Sequence, residues 1–460
     1  MGEKTQLQMM MRPRPRQQRR RLRQVTLVIG AVLALYCVVF VWNTPESSSS
    51  SSSSSSGRSS SSSRRKPLPP EILNNLSLDE EQCNAYFPGL TKEIDDAVAK
   101  GPFEVKQTGN RGPLQGRIKD GKISIIYAQR KQDISKEMMN SRTASLNQLH
   151  RAILTSPSPL PDTIFTLNFQ DQPFGISWAY SRAADPEFHS KGSNARTFLM
   201  PHFSFWAWRL PFVGSMGRAA QAISDIEAEY DEGRWHQKIA KAVWRGTMWF
   251  NSVYNPRMRQ DLVAAGRGRA WADIEPLQWD GTNGNATNAL PIEDFCRYKY
   301  IVHTEGVTYS GRFQFLQMCA SVVLTPPIHW MQHVTHLAKP LFTSDLDLEG
   351  TKGWTPTENV RRAWPVRYKP EEANIVFVAP DWSDLEATVA WLEENPEIAE
   401  GIARRQRDLF VGGGYFSPAA ETCYWRALLR GWAKVAQTEG QGWEETEGIP
   451  FEEFSLTNTV

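Results

Sequence analysis

At 460 residues the chain is too long for one ordinary hydrophobic core, and two moderate domains remain once a polar N-terminal portion is set aside. Its formal charge of +2 says little about partners, because the basic excess sits in one short arm, Arg12, Arg14, Arg16, Arg19, Arg20, Arg21 and Arg23. Beyond that arm acidic and basic residues nearly balance, and the segment that follows argues against both a plain solvated tail and a nucleic-acid arm.

Residues 1–24 form this basic tail, and Val25 to Trp42 is a run of eighteen residues without a charge, within the length range of a transmembrane helix. A cleaved leader has a shorter apolar stretch and small residues at its end, which the Val-Phe-Val-Trp ending of this run does not match. Arginines precede the run and none follows before Arg58, so the positive-inside rule places the tail in the cytosol and everything after Trp42 in the lumen. The expectation is a single-pass type II signal anchor. Residues 43–75 contain an unbroken serine tract from Ser47 to Ser56 and further Ser, Arg and Pro; such a stem has no apolar surface to offset ordering entropy and is expected to be disordered.

A luminal location exposes two sequons, Asn75-Leu-Ser and Asn285-Ala-Thr, to glycosylation. It also leaves Cys83, Cys296, Cys319 and Cys423 in an oxidising compartment, with three full pairings open, while Cys37 lies in the anchor.

From about Leu76 short apolar strands alternate with helical patterns, the signature of an α/β fold. Thr163 to Phe169 alternates like a strand and runs into the turn Gln170-Asp171-Gln172-Pro173. Tyr298 to Thr304 reads as a strand, Gly306 to Gly311 as a loop, Arg312 to Ala320 as a helix and Ser321 to Thr325 as the next strand. Asn374 to Val378 is a further strand, Ser383 to Glu386 has the form of a capping box, and Asn395-Pro396 opens another helix. The C-terminal third is mostly helical in pattern.

Two strand ends carry chemistry. In Tyr300 to Arg312 a strand passes through a loop to a helix start, where free N–H groups favour an anion and Arg312 can add charge-assisted bonds to a diphosphate. Ala242 to Met248 likewise ends an apolar run in Arg245-Gly246-Thr247, joining a guanidinium, a close-approach glycine and a hydroxyl. Neither is a Gly-x-Gly-x-x-Gly fingerprint, and either arginine alone reads as well as a surface ion pair.

With their surroundings these segments resemble glycosyltransferase family 90, which holds fungal capsule-associated xylosyltransferases and animal protein O-glucosyltransferases. The resemblance runs from about Leu78 to Phe416 through Cys83…Phe87-Pro-Gly-Leu90, Asn168 to Pro173, Phe198 to Trp208, Trp244-Arg-Gly246, Phe295 to Tyr300, and Glu305-Gly306…Ser310-Gly-Arg312. It implies a GT-B-like architecture, two Rossmann-like domains facing a cleft, here an acceptor-side domain at 76–234 and a nucleotide-sugar domain at 235–417, followed by a helical tail at 418–460. It implies inverting transfer of xylose or glucose from a UDP-sugar to a glycan or glycoprotein hydroxyl, with no prosthetic group. Carried over by position, Asp171 is the general base, a role that inversion requires of one carboxylate near the acceptor hydroxyl. Arg245 and Arg312 become the diphosphate clamp, Thr247 and Ser310 add hydroxyls, and Glu305 and Tyr309 line the nucleotide pocket. Cys296 and Cys319 match a pair that the O-glucosyltransferases close as a disulfide; whether Cys83 and Cys423 pair with each other is left open.

Other signals are set aside. His329, His333 and His336 lie close in sequence but lack the glutamate that a zinc hydrolase places beside its first histidine, and no metal site is assigned. Asp345-Leu-Asp347 is read as a loop, and whether a divalent ion is required is left open by the sequence. The expected location is the Golgi membrane; the alternatives are an endoplasmic-reticulum protein O-glucosyltransferase, disfavoured by the absence of a Lys-Asp-Glu-Leu-like signal at Ser455 to Val460, and an inactive glycan-binding or scaffolding relative.

Overall fold

The computed structural model describes residues 66–188, 196–231, 233–281 and 284–458. The basic tail, the anchor segment Val25–Trp42 and most of the stem lie outside them, and no helix among the described residues is long and apolar enough to cross a membrane. From Arg64 onward the chain forms one compact unit that contains two six-stranded sheets.

The first sheet begins with a hairpin of β1 (Leu114–Lys119) and β2 (Lys122–Tyr127). Its turn is Asp120-Gly121, both at positive φ, the left-handed conformation that a tight two-residue hairpin demands. Strand β1 pairs antiparallel with β3 (Thr163–Leu167), and β4 (Ser177–Ala179) and β5 (Thr197–Leu199) continue the sheet in parallel. Ile449–Pro450 closes the outer edge against β2. Helix α1 (Lys136–Leu154), capped by the Ser135 hydroxyl accepting from the Met138 amide, packs beside this sheet.

The second sheet is wholly parallel. Its strands β6 (Ile239–Gly246), β7 (Ala272–Pro276), β8 (Tyr298–Val302), β9 (Val322–Thr325), β10 (Pro340–Phe342) and β11 (Ile375–Phe377) lie in the order β10-β11-β9-β8-β6-β7. The apolar runs of these strands are buried on both faces, as a parallel sheet requires. Alternation decides which residue goes where: Val243, Ile301, Val323 and Phe377 join the large core shared with the first sheet, while Trp244, Val302, Leu324 and Val376 face the other way. That second face is covered by helices α2 (Met258–Gly266), α4 (Leu385–Glu394) and α5 (Pro396–Arg407), through Leu262, Leu385 and Ile402; α3 (Phe313–Leu316) lies between β8 and β9.

The mixed α/β class read from the sequence is therefore present, with two local corrections. The helix expected over Arg312 to Ala320 is one turn long, because the Ala320 amide is taken by the Glu227 carboxylate at 2.8 Å and the amides of Met318 and Cys319 tighten onto carbonyls three residues back. The capping box at Ser383 does not form: both its amide and its hydroxyl bond to Asp381, while Asp384 is drawn to the Ala379 amide and the Thr343 hydroxyl.

The chain ends by crossing back. Helix α6 (Pro418–Val435) lies on α1 and the first sheet: the Trp425 indole donates to Gln148, that of Trp432 donates to the Ile164 carbonyl, and Arg426 bonds the carbonyls of Ala152 and Leu78. The disulfide Cys83–Cys423 fastens α6 to the helix Glu80–Tyr86, and Cys296–Cys319 joins the residues just before β8 to those just before β9, which selects one of the three pairings open to the four cysteines.

Candidate active site

In a parallel sheet every strand delivers its C-terminal loop to one edge, and ligands bind there. Three neighbouring strands supply that edge here: β6 ends at Arg245-Gly246 and runs into Thr247, β8 leads into His303 to Arg312, and β9 leads into Pro326 to His329. From the first sheet β3 runs into the turn Asn168 to Pro173, shaped by the Asn168 side chain, which accepts from the Gln170 amide and donates to the Gln172 carbonyl. The two loops touch. The Thr308 hydroxyl donates to the backbone carbonyl of Asp171 at 2.8 Å, so the turn that carries Asp171 is tied to the loop that carries Glu305, Tyr309, Ser310 and Arg312.

Asp171 is open to solvent, yet protein surrounds its carboxyl on several sides, and this desolvation raises it above the ordinary carboxylate range. Its charge is felt by the buried hydroxyls of Tyr180 and Tyr309, whose rings lie 6.1 Å apart. A carboxyl so placed holds a proton more readily than a surface aspartate, as a base must.

Positive charge gathers on the other side. Arg312 is partly buried and Nη1 donates to the Arg245 carbonyl at 2.6 Å; burial brings it down to about 10, which leaves it charged at neutral pH. Arg259, on α2, is buried and bonds the carbonyls of Thr247 (2.7 Å) and Glu305 (3.0 and 3.2 Å). Burial and the neighbouring Arg312 push it down to about 9. Neither arginine has an ion pair with a carboxylate among the described residues, and both depress the buried, neutral His303 to about 3, after burial itself. Cations buried without counter-charge favour an anion between them.

The remaining candidates are tied down differently. Arg245 donates to the Asp273 carboxylate at 2.7 Å and to three main-chain carbonyls, Trp244, Asp273 and Asn288, so its guanidinium is occupied from within the chain. Thr247 is buried and its hydroxyl accepts from the Trp279 indole at 3.2 Å. Glu305 is buried, with Oε1 accepting from the amides of His329 (3.0 Å) and Trp330 (2.8 Å). Ser310 is partly buried at the start of α3, its carbonyl accepting from Phe313. Beside it, a side chain on Gly311 would meet His202 at 2.6 Å, so glycine lets that buried imidazole approach the loop.

Both sequon asparagines are exposed, and Asn75 accepts from the Ser77 amide of its own sequon. The histidines of the Ile328 to His336 stretch go to separate places: His329 stacks on Tyr254, His333 lies between Phe205 and Tyr424, and His336 bonds the Gly89 carbonyl. The grouping of metal-type ligands that comes together among the described residues is Glu227, Cys296 and Cys319, whose cysteines are spent in a disulfide.

Glycosyl transferase family 90 matches this chain over residues 80–342, more than half of its length, and the matched span contains both loops and both arginines. The chain belongs to glycosyl transferase family 90. It is thus an enzyme of the glycosyltransferase class, as the ordered motifs implied. Among family relatives, the chain is 26% identical to the O-glucosyltransferase rumi homolog of Aedes aegypti over 61% of this chain and 63% of that protein. It is 24% identical to O-glucosyltransferase rumi of Drosophila melanogaster, over 73% and 75% of the two chains, and 24% identical to Protein O-glucosyltransferase 1 of Homo sapiens, over 77% and 81%. The match thus spans less than two thirds of the Aedes protein.

Within this family frame the site has residues that the sequence reading missed. Arg259 sits in Pro256-Arg-Met-Arg259, which looks like an ordinary helix start, and its partners are carbonyls far away in the chain. Thr308 carried no signal beyond lying inside the Glu305 to Arg312 motif. His202 lay within the Phe198 to Trp208 match, where a histidine next to aromatic residues reads as core.

Proposed function

We propose that this enzyme transfers a sugar from a UDP-sugar to a hydroxyl of a glycan or glycoprotein with inversion at the anomeric carbon. The observation that carries the reading is the Thr308–Asp171 contact, which sets a raised carboxyl beside a loop backed by Arg312 and Arg259. Asp171 removes the acceptor proton as the hydroxyl attacks, and Arg312 stabilises the negative charge that grows on the leaving diphosphate. Arg259 adds a second positive charge behind the loop. Arg245 shapes the strand end and holds Arg312 through its carbonyl, with Thr247 and Ser310 at hand for hydroxyl contacts. The two sheets are the halves of a GT-B-like pair, 76–234 and 235–417, and Val25–Trp42 anchors the enzyme in the Golgi membrane with its catalytic part luminal.

The relatives named above are O-glucosyltransferases, which favours glucose as the first donor to test, with xylose second. Incubating the enzyme with UDP-glucose and UDP-xylose, alone and with candidate glycans and glycoproteins, tests the reading. Transfer that is lost in Asp171→Asn supports it. Equal transfer by both proteins removes Asp171 from the mechanism, and UDP binding without transfer from any donor favours an inactive relative.

A further inference from the structure

Three consecutive strand-end loops of the parallel sheet each place one polar side chain in a common cluster: Tyr254 after β6, Glu305 after β8 and His329 after β9. The His329 ring stacks on Tyr254 at 4.6 Å with an interplanar angle of 11°. Glu305 grips the same residue twice. Its Oε1 accepts the backbone amides of His329 and Trp330, and its Oε2 stands 3.5 Å from His329 Nδ1. Oε2 and Nδ1 are both buried and have no hydrogen-bond partner among the described residues.

Two buried polar atoms facing one another with no other partner settle the protonation pattern between them: a proton on Nδ1 meets the carboxylate, whereas a lone pair there would leave two acceptors opposed. In the neutral ring the free lone pair is then on Nε2. That nitrogen makes no bond to the described residues and is not fully buried, so in a mostly buried ring it keeps access to solvent, in the loop that follows β9.

We propose that His329 Nε2 is a hydroxyl-recognition group of the donor site, accepting a hydrogen bond from a sugar hydroxyl of the bound UDP-sugar, with Glu305 as the positioning residue that fixes its tautomer. The proposal rests on the donor-site reading above. A phosphate is the wrong ligand for this atom, because phosphate oxygens are acceptors too and the Glu305 carboxylate lies behind the ring, whereas the arginines that suit phosphate, Arg259 and Arg312, bond other carbonyls of the same loops. Ribose and the transferred sugar offer the same hydroxyl chemistry, and the test separates them.

The substitutions are His329→Phe, which keeps a ring on Tyr254, and Glu305→Gln, whose amide oxygen can still accept the two backbone amides while its NH2 group turns to Nδ1 and forces the proton onto Nε2. Calorimetry on the full-length protein uses UDP and 2′,3′-dideoxy-UDP, donor use is measured with UDP-glucose, and thermal unfolding checks that both variants are folded. If the partner is ribose, wild type prefers UDP over the dideoxy compound by about tenfold and both variants lose that preference. If it is the transferred sugar, both variants bind UDP normally while KM for UDP-glucose rises about tenfold. In either case nitrogen-15 spectra of His329 show Nδ1 protonated in the wild type and Nε2 protonated in Glu305→Gln. Folded variants that bind UDP and use UDP-glucose like wild type overturn the proposal, as does equal loss of UDP and dideoxy-UDP. Failure of the wild type to bind UDP overturns the donor-site reading itself.

Discussion

Thr308 and Asp171 lie 137 positions apart and meet through a hydroxyl and a main-chain carbonyl 2.8 Å from each other. The bond leaves the Asp171 carboxyl free while fixing the turn that carries it, so its removal should disturb chemistry more than binding. Thr308→Val keeps the shape of the side chain and deletes the donor. A lost hydrogen bond of about 1 kcal/mol corresponds to roughly a fivefold fall in kcat, with UDP affinity unchanged and Thr308→Ser restoring the rate. Steady-state kinetics beside calorimetry check this; a weakened UDP affinity with intact kcat would place Thr308 in donor binding instead.

If Asp171 is the base proposed above, its raised carboxyl sets the acid limb of the rate profile. A general base works only when deprotonated, so kcat/KM should fall as pH drops through a value above the ordinary aspartate range, the shift being due to desolvation. Asp171→Asn should lose on the order of a hundred- to ten-thousand-fold in rate and lose that limb as well. The same desolvation makes the ionised group a cost to the folded state at neutral pH, so the asparagine variant should melt no lower than wild type. An acid limb at the pH of a free aspartate would show that the carboxyl does not titrate in the rate.

Arg312 and Arg259 should separate into different roles. Arg312 makes one bond to the Arg245 carbonyl, and on its proposed role at the diphosphate Arg312→Ala should weaken UDP binding by about 2 kcal/mol, close to thirtyfold, with a small change in stability. Arg259 spends its bonds on Thr247 and Glu305 and holds two loops together. Arg259→Met should cost roughly 3 kcal/mol of stability, since buried carbonyls lose their donor, and should weaken UDP binding as a consequence. Denaturation and calorimetry on both variants decide; equal stability loss in the two would erase the distinction.

Much of this arrangement is legible in the sequence because it depends on patterns that repeat along the chain. The unbroken apolar runs Tyr300-Ile301-Val302 and Val322-Val323-Leu324 read as strands buried on both faces, and those strands form side by side. The Pro396 start of α5 is equally local. What escapes depends on partners distant in sequence. Ala320 leaves its helix because Glu227 takes its amide, and no window around residue 320 contains that carboxylate. The partner of Arg245 cannot be named from the sequence because Asp273, one strand over, becomes its neighbour only when β6 and β7 pair.

The two disulfides should contribute unequally. Cys296–Cys319 spans 23 positions and Cys83–Cys423 spans 340, and the chain-entropy argument gives about 3 kcal/mol for the shorter loop and up to ~5 kcal/mol for the longer one. The longer bridge also ties α6 to the helix Glu80–Tyr86. Replacing Cys83 and Cys423 together by alanine should therefore lower the unfolding midpoint further than replacing Cys296 and Cys319, as scanning calorimetry under identical conditions would measure. The reverse order would mean that α6 is held by its buried tryptophans alone.

Stability should also depend on pH through Glu421, which lies buried on α6 beside Arg151 of α1. Burial pushes its carboxyl up to about 7, outweighing the attraction of Arg151, whereas in the unfolded chain it titrates near 4.5. Between those values the folded protein binds the extra proton. Stability due to this group is therefore fully present below the unfolded value and falls as pH rises toward 7, with a limiting slope of about 1.4 kcal/mol per pH unit. Glu421→Gln keeps the volume and removes the titration, so its unfolding free energy should lose that slope and approach or exceed wild type near pH 7. Denaturant titrations of both proteins at about pH 5, 6 and 7, spanning the interval between the folded and unfolded values, measure the difference. Parallel curves across the window would show that Arg151 holds Glu421 ionised throughout, and that the ion pair rather than burial governs this contact between α1 and α6.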